Sequence, residues 1–309
     1  MDSNVYFSVI VPVFNSEKSL EELYFRLSEV FKKMDKTFEL IFVNDGSRDN
    51  SLEILRKINT ENEHVTVIDL FRNFGQQNAL MCGFQYCKGE YVITIDDDLQ
   101  NPPEEIIKLY DKIKEGYDAV FAAYKKKKDK LYKNIGSFFI RKVTHRIFKL
   151  KNRLRFSSFR IIKKEIIEEL KQIKTPYPYV SGMILSITKN LTNVEIKHCK
   201  RSYGKSNYSI GKLIKLSFNL LIHYSTFPLK AISFLGLLVS FLSFVIGLFV
   251  LVRKLIVGST RAGWTSTVVL ISFFASIFFM ISFIFGEYMG RMLGEVTKDK
   301  QYSIREIIK

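Results

Sequence analysis

Three aspartates stand in a row in the stretch "VITIDDDLQNPPEE", residues 92–105. Adjacent carboxylates repel one another, and Asp favours neither strands nor helix interiors. Folding alone gives no reason for such a cluster. On an extended backbone, residues i and i+2 point the same way. Asp96 and Asp98 would then converge on one point while Asp97 turns aside. A hard divalent cation such as Mg2+ or Mn2+ takes one or two carboxylates and completes its shell with water and substrate phosphates. Such an ion neutralises charge building on a departing diphosphate. An isolated D-x-D is a weak signal, because acid clusters often cap loops. Its place behind an apolar, β-branched run and ahead of Pro102-Pro103 strengthens it. Asp45, in "FVNDGSRDNS", also follows an apolar run. Its carboxylate could hydrogen-bond a base or ribose edge, or serve only as a turn or cap residue.

The elements around these acids alternate. "FSVIVPVF", "FELIFVND", "VTVIDLF", "EYVITIDDD" and "YDAVFAAY" read as strands. Between them, "EKSLEELYFRLSEVFKKM", "SLEILRKINTEN", "NALMCGFQYCKG" and "EEIIKLYDKIKEG" carry helical spacing or helix punctuation, with the Pro pair opening the last. Strand–helix alternation predicts a mostly parallel sheet covered on both faces. Ligands of such sheets sit at the carboxyl ends of the strands. Both acid-bearing loops fall there.

The formal net charge is +16. Residues 121–156 hold 13 Lys and Arg against one acid, Asp129. Such a block suits a polyanion: nucleic acid, an anionic membrane face or phosphate groups. Residues 131–150 place apolar side chains on one helical stripe among these cations, and residues 209–224 repeat the arrangement. Each could lie in a membrane interface or form a domain helix with a solvated basic face. Two apolar stretches further along the chain favour the interface. Residues 231–252 and 265–286 are free of charge, each matching the ~20 residues that cross a bilayer core. The positive-inside rule places both termini in the cytoplasm, with an integral, inner-membrane location. Anionic lipid explains the basic block better than nucleic acid does. The predicted division is a core at 1–125, an acceptor-side region at 126–226, and membrane helices with a tail at 227–309. The three cysteines include no C-x-x-C pair, so neither a disulfide framework nor a zinc site is expected. The four histidines are scattered without ligand spacing, and the N-terminus reads as a first strand rather than a signal peptide.

The ordered set "SVIVPVFNSEKSLEEL", "VNDGSRDNS", "FRNFGQQNAL", "YVITIDDDLQNPPEEI" and "RSYGKSNYS", followed by two apolar helices, resembles glycosyltransferase family 2. The likeness is closer to its membrane-bound polyprenyl-phosphate branch. The resemblance implies a GT-A fold, a UDP- or GDP-sugar donor, a divalent metal and a lipid-phosphate acceptor. By position, Pro12, Phe14 and Asp45 would line the nucleotide site. Asp96 and Asp98 would serve metal and diphosphate, with Asp97 and Gln100 in the same pocket, and Arg201 would meet phosphate. Four positions depart from the pattern. Ser16 and Ser158 stand where acids are usual, Tyr124 stands for an arginine, and Asn207 stands for a lysine, with Lys205 two residues earlier.

A serine at 158 removes a candidate base. An alcohol acceptor needs one. A phosphate monoester, with a second pKa near ~6, arrives largely dianionic. It needs positioning, stabilisation of the leaving diphosphate and exclusion of water, which cations such as Arg160, Arg201 and Lys205 could supply. The expected activity is inverting transfer of one sugar to a polyprenyl phosphate at the cytoplasmic membrane face. Two alternatives are a catalytically silent, membrane-tethered nucleotide-sugar binder and a transferase using a hydroxyl acceptor. The chain could also assemble as a homo-oligomer. The chain lacks the Q-x-x-R-W signature of processive polysaccharide synthases.

Overall fold

The computed structural model describes residues 5–124, 154–175, 178–197, 264–296 and 300–309, with single positions at 234, 238, 241 and 256. Within 264–296 it describes the backbone throughout and part of the side chains. The amphipathic segments at 131–150 and 209–224 lie outside the described residues. So does the first expected span, apart from three helical positions, Phe234, Leu238 and Phe241.

The chain divides into two compact units, residues 1–208 together with 298–309, and residues 209–297. The first unit is an eight-stranded sheet. Its strands are β1 (Phe7–Val13), β2 (Phe38–Asn44), β3 (Val65–Leu70), β4 (Tyr91–Thr94), β5 (Ala119–Tyr124), β6 (Arg160–Lys163), β7 (Leu191–Ile196) and β8 (Ile304–Ile308). The spatial order is β7-β5-β6-β4-β1-β2-β3-β8. β1, β2, β3 and β4 run parallel, whereas β6 is antiparallel to both β4 and β5, and β8 is antiparallel to β3. The expected mostly parallel α/β sheet is present.

Two apolar layers cover the sheet. On one face pack α1 (Leu20–Met34), α2 (Ser51–Thr60) and α4 (Ile106–Ile113), through Leu23, Leu27, Phe31, Leu55 and Leu109. On the other pack α3 (Gln76–Tyr86), α5 (Lys164–Gln172) and α6 (Val180–Ile187), through Leu80, Phe84, Ile167 and Ile184. β1 shows the strand period of two: Phe7, Val9 and Val11 enter the first layer, and Ile10 the second. Cys82 and Cys87 sit in the second layer, where burial pushes both thiols up to about 12. Neither is expected to react with a water-soluble disulfide reagent at pH ~8 in the native chain, and both should react once it is denatured. Thiol titration before and after denaturant checks this.

Two boundaries differ from those expected on sequence. The sheet does not stop near residue 125, because β6 inserts between β4 and β5, and β7 adds beyond β5. The last residues do not group with the apolar helices. "IREII" alternates inward and outward side chains and forms the edge strand β8 against β3. In the second unit, α7 (Trp264–Val296) runs 33 residues. Its described exposed side chains include Leu270, Ile271, Phe273, Phe278, Met280, Phe285, Met289 and Met292. Over the described residues alone, no helix is long and apolar enough to cross a membrane.

Candidate active site

β1 and β4 are neighbours in the sheet, yet the chain leaves them toward opposite sides: β1 leads on to β2 and β3, and β4 to the other half. Open α/β sheets bind ligands at such a switch point, beyond the carboxyl ends of the strands. A cleft of about 410 Å³ opens there. Pro12, Val13 and Phe14 line it from the end of β1, Asp45 from the end of β2, Asn73 and Gly75 from the β3–α3 loop, Gln76 from the start of α3, and Asp96, Asp97, Asp98 and Gln100 from beyond β4. The fold thus gathers Pro12, Phe14, Asp45, Asp96, Asp97, Asp98 and Gln100 into one place. Phe14 is 46% exposed and presents its ring to solvent at the cleft.

The triad is not on an extended strand, contrary to the expectation from its position. β4 ends at Thr94, Asp96 follows in irregular chain, and Asp97 and Asp98 lie on a turn. Leu99 comes next with φ 58, in the left-handed region that a bulky residue rarely adopts. The Leu99 side chain, 2% exposed, is anchored in the core. That anchor holds the turn open against its backbone cost. The three carboxylates then separate by partner. Asp97 faces the β1 loop, accepting from the Phe14 N–H at 3.1 Å and from the Ser16 hydroxyl. Asp96 accepts from the Gln76 side-chain amide and from the Ser158 hydroxyl. Asp98 accepts from the Gln100 N–H at 3.1 Å.

Packed protein surrounds these groups although each still touches the cleft. Burial is the main cause raising the Asp96 carboxyl, and the Ser158 hydroxyl opposes it. Burial likewise pushes Asp97 up to about 6, against the Ser16 and Phe14 donors. Ser16 and Ser158 are the two positions at which the sequence departs from an acid. Each supplies a neutral hydroxyl donor to one triad member, where another carboxylate would add repulsion.

Asp45 is 2% exposed and spends both oxygens on backbone amides, Phe74 N–H at 2.7 Å and Gly75 N–H at 2.9 Å. Burial raises its carboxyl, and those two amides partly offset the rise. It therefore clamps the β3–α3 loop to the end of β2, a long-range contact that is neither a local turn nor a helix cap, while still lining the cleft. Gln76 and Asn73 carry no individual signal in the sequence. They enter the cleft because Asp45 holds their loop in place.

Arg160 is not at the cleft surface. It is 1% exposed, donating Nε to the Thr94 hydroxyl at 3.1 Å and Nη1 to the Ser181 hydroxyl at 2.9 Å. Burial depresses the guanidinium to about 10. Placed on β6 behind the triad, it is engaged by neutral hydroxyl oxygens rather than presented to a phosphate. The expected phosphate contact through Arg160 is corrected accordingly. Tyr124, the other departure in the described chain, donates to the Asn101 side-chain carbonyl at 2.8 Å. Arg201, Lys205 and Asn207 lie outside the described residues.

A sheet of this order with acids at its switch point is the architecture of GT-A-like transferases. The structure is similar in fold to glucosyl-3-phosphoglycerate synthase from Mycobacterium tuberculosis, crystallised with Mn2+, UDP and phosphoglyceric acid. The TM-score is 0.52 at 17% identity, covering 71% of this chain and 77% of that one. The family model described as "Glycosyl transferase family 2" matches residues 8–171, and the chain belongs to that family. It is a glycosyltransferase. Among relatives, it is 35% identical to the Bacillus subtilis (strain 168) glycosyltransferase YkcC over 99% of this chain and 95% of that one. It is 33% identical to the undecaprenyl-phosphate 4-deoxy-4-formamido-L-arabinose transferase of Proteus mirabilis, over 97% and 93%. The corresponding Shewanella sediminis enzyme is 32% identical, over 98% and 92%.

Proposed function

We propose that this chain moves one sugar from a UDP- or GDP-sugar to a polyprenyl phosphate, undecaprenyl or dolichyl, at the cytoplasmic face of a membrane, with inversion at the sugar carbon. The observation that carries the reading is Ser158. At the place where an acid is usual, a serine hydroxyl is tied to Asp96, and it offers no base. An acceptor that is already anionic needs none. The full-length likeness to undecaprenyl-phosphate sugar transferases supports the same acceptor class.

The donor set fits a divalent metal of the Mg2+ or Mn2+ kind. Among the described residues no group of three or more His, Cys, Asp or Glu is placed to hold a metal ion, so the chain would supply at most two such ligands. Asp96 and Asp98, both lining the cleft, match a hard ion that takes one or two carboxylates and leaves room for phosphate oxygens. When bound, such an ion would neutralise the diphosphate. The chain's own residues do the rest. Phe14 offers a ring face for a base beside Pro12. Gln76 and Ser158 fix the Asp96 carboxylate, and Ser16 and the Phe14 amide fix Asp97. In the reaction, an acceptor phosphate oxygen bonds to the anomeric carbon as the bond from that carbon to the diphosphate breaks. The diphosphate keeps the electron pair. Arg201 and Lys205 are the cations we assign to the phosphates.

The membrane part of the reading rests on sequence and on α7. Residues 265–286 carry no charge within a continuous helix, and its described exposed side chains are mostly large and apolar. Such a surface is costly in water and suited to lipid. Residues 231–252 would form the other span, and an even number of crossings returns the tail to the side of the sheet it joins. The test is to incubate membranes containing the chain with undecaprenyl or dolichyl phosphate and labelled UDP- and GDP-sugars, with and without Mn2+. Organic-extractable label from a donor, dependent on metal, is expected. Label that stays entirely in water-soluble products would overturn the reading.

A further inference from the structure

The C-terminal strand does more than cover a sheet edge. β8 lies beside the carboxyl half of β3, and the Ser303 carbonyl just ahead of it accepts from the Phe71 N–H at 3.0 Å. Arg305 is an outward position of this edge strand, its side chain 51% exposed, and its guanidinium turns back along the edge. Its Nη1 lies 3.3 Å from Oδ2 of Asp69, which is 1% exposed, and its Nη2 donates to the Phe71 carbonyl at 3.1 Å. The other Asp69 oxygen accepts from the Asn44 side chain at 2.7 Å. Asn44 in turn accepts from the Ser47 N–H at 3.3 Å. Asn44 and Phe71 thus stand at the roots of the two loops that Asp45 joins through Phe74 and Gly75. One guanidinium, from beyond the long apolar segment, compensates a buried carboxylate between β2 and β3 and holds the start of a cleft-lining loop.

We infer that Arg305 is a positioning residue for the cleft: by pairing Asp69 and holding the Phe71 carbonyl, it sets the β3–α3 loop and with it Asn73, Gly75 and Gln76. Removing it strands Asp69 as a buried charge with Asn44 as its remaining donor, a costly arrangement. Another contact of the same strand serves as control. Glu306 pairs with Arg56 on α2, away from the cleft.

The experiment is amide hydrogen exchange on the full chain in detergent. Arg305→Ala should quicken exchange at Phe74 and Gly75 by about tenfold, while Val67 and Ile68 change little. Arg305→Lys keeps the charge opposite Asp69 and should recover most of the protection. Glu306→Gln should leave Phe74 and Gly75 as they were. Should Arg305→Ala fail to fold, Arg305→Met in an Asp69→Asn background removes the pair without stranding a charge, and the same two amides are read. Exchange that quickens along β8 alone, or equally in Glu306→Gln, overturns the inference. Calorimetry with UDP and GDP in Mn2+ gives a second readout, which rests on the nucleotide reading of the cleft. The expected result is about tenfold weaker binding for Arg305→Ala and none of that loss for Glu306→Gln. If neither nucleotide binds the parent chain, the nucleotide reading fails, while the exchange result still decides the role of Arg305.

Discussion

Asp98→Ala is expected to lower sugar transfer about a thousandfold or more, a loss of about 4 kcal/mol in transition-state stabilisation, with the fold intact. The structure separates the two effects. The Asp98 carboxylate accepts from the Gln100 N–H at a half-buried turn, and losing that bond costs about 1 kcal/mol of stability. Truncation also removes a negative charge that raises the neighbouring Asp96 carboxyl, which returns part of that cost. In the proposed reaction, Asp98 would help hold the divalent ion that neutralises the leaving diphosphate, and that neutralisation counts for more as the bond breaks. Its loss therefore falls on kcat as well as on kcat/KM. Activity assays paired with thermal melts check the prediction. A variant that keeps a tenth of its activity would remove Asp98 from the chemistry. A catalytically silent binder would have no turnover to lose.

The second large effect is expected at a glycine of the β2–α2 loop rather than at an acid. Gly46 sits at φ 66, and a Cβ there would lie 2.6 Å from the Arg72 carbonyl carbon and 2.7 Å from the Asn73 nitrogen. Both are backbone atoms, so no side chain can swing away. Gly46→Ala must push apart the two loops that Asp45 holds together. The left-handed backbone costs about 1 kcal/mol and the displaced loop more, for a total of about 3 kcal/mol. In a unit of this size that lowers the melting temperature by roughly 6–12 °C. Donor affinity should fall with it, since Asn73 and Gln76 move. Gly75→Ala is the contrast. Gly75 has φ 93 and ψ 149, close to a region essentially confined to glycine, but nothing lies within 4 Å of a new Cβ, so backbone strain of about 1–3 kcal/mol applies without a clash. Melting curves of the two variants, side by side, separate steric displacement from strain.

The first five strands are legible in the sequence because each is an apolar run bounded by a helix with its own spacing. The core residues of α1, Leu20, Leu23, Leu27, Val30 and Phe31, are the ones its periodicity marks. β6, β7 and β8 are not legible. Runs as short as "RIIK" and "IREII" lie outside the strand–helix alternation of the first five strands, and their strand state comes from neighbours distant in the chain. The site divides in the same way. Acids after strands can be placed by the topology of parallel sheets, and the cleft collects them. Their partners cannot be foreseen. Ser158 meets Asp96 across 62 positions, and Gln76 meets it across 20. Arg160 shows the reverse failure. Its type suggests a phosphate, but position on β6 buries it between Thr94 and Ser181.

The proposed chemistry turns on an acceptor phosphate that needs no base. A competition experiment decides this: the purified chain is offered undecaprenyl phosphate, undecaprenol and a free sugar in parallel, with the donor that labels lipid, and the products are weighed. A single new mass is expected, one sugar joined to undecaprenyl phosphate through a phosphodiester. Transfer to undecaprenol or to the sugar hydroxyl, with the phosphate left unused, would contradict the proposal.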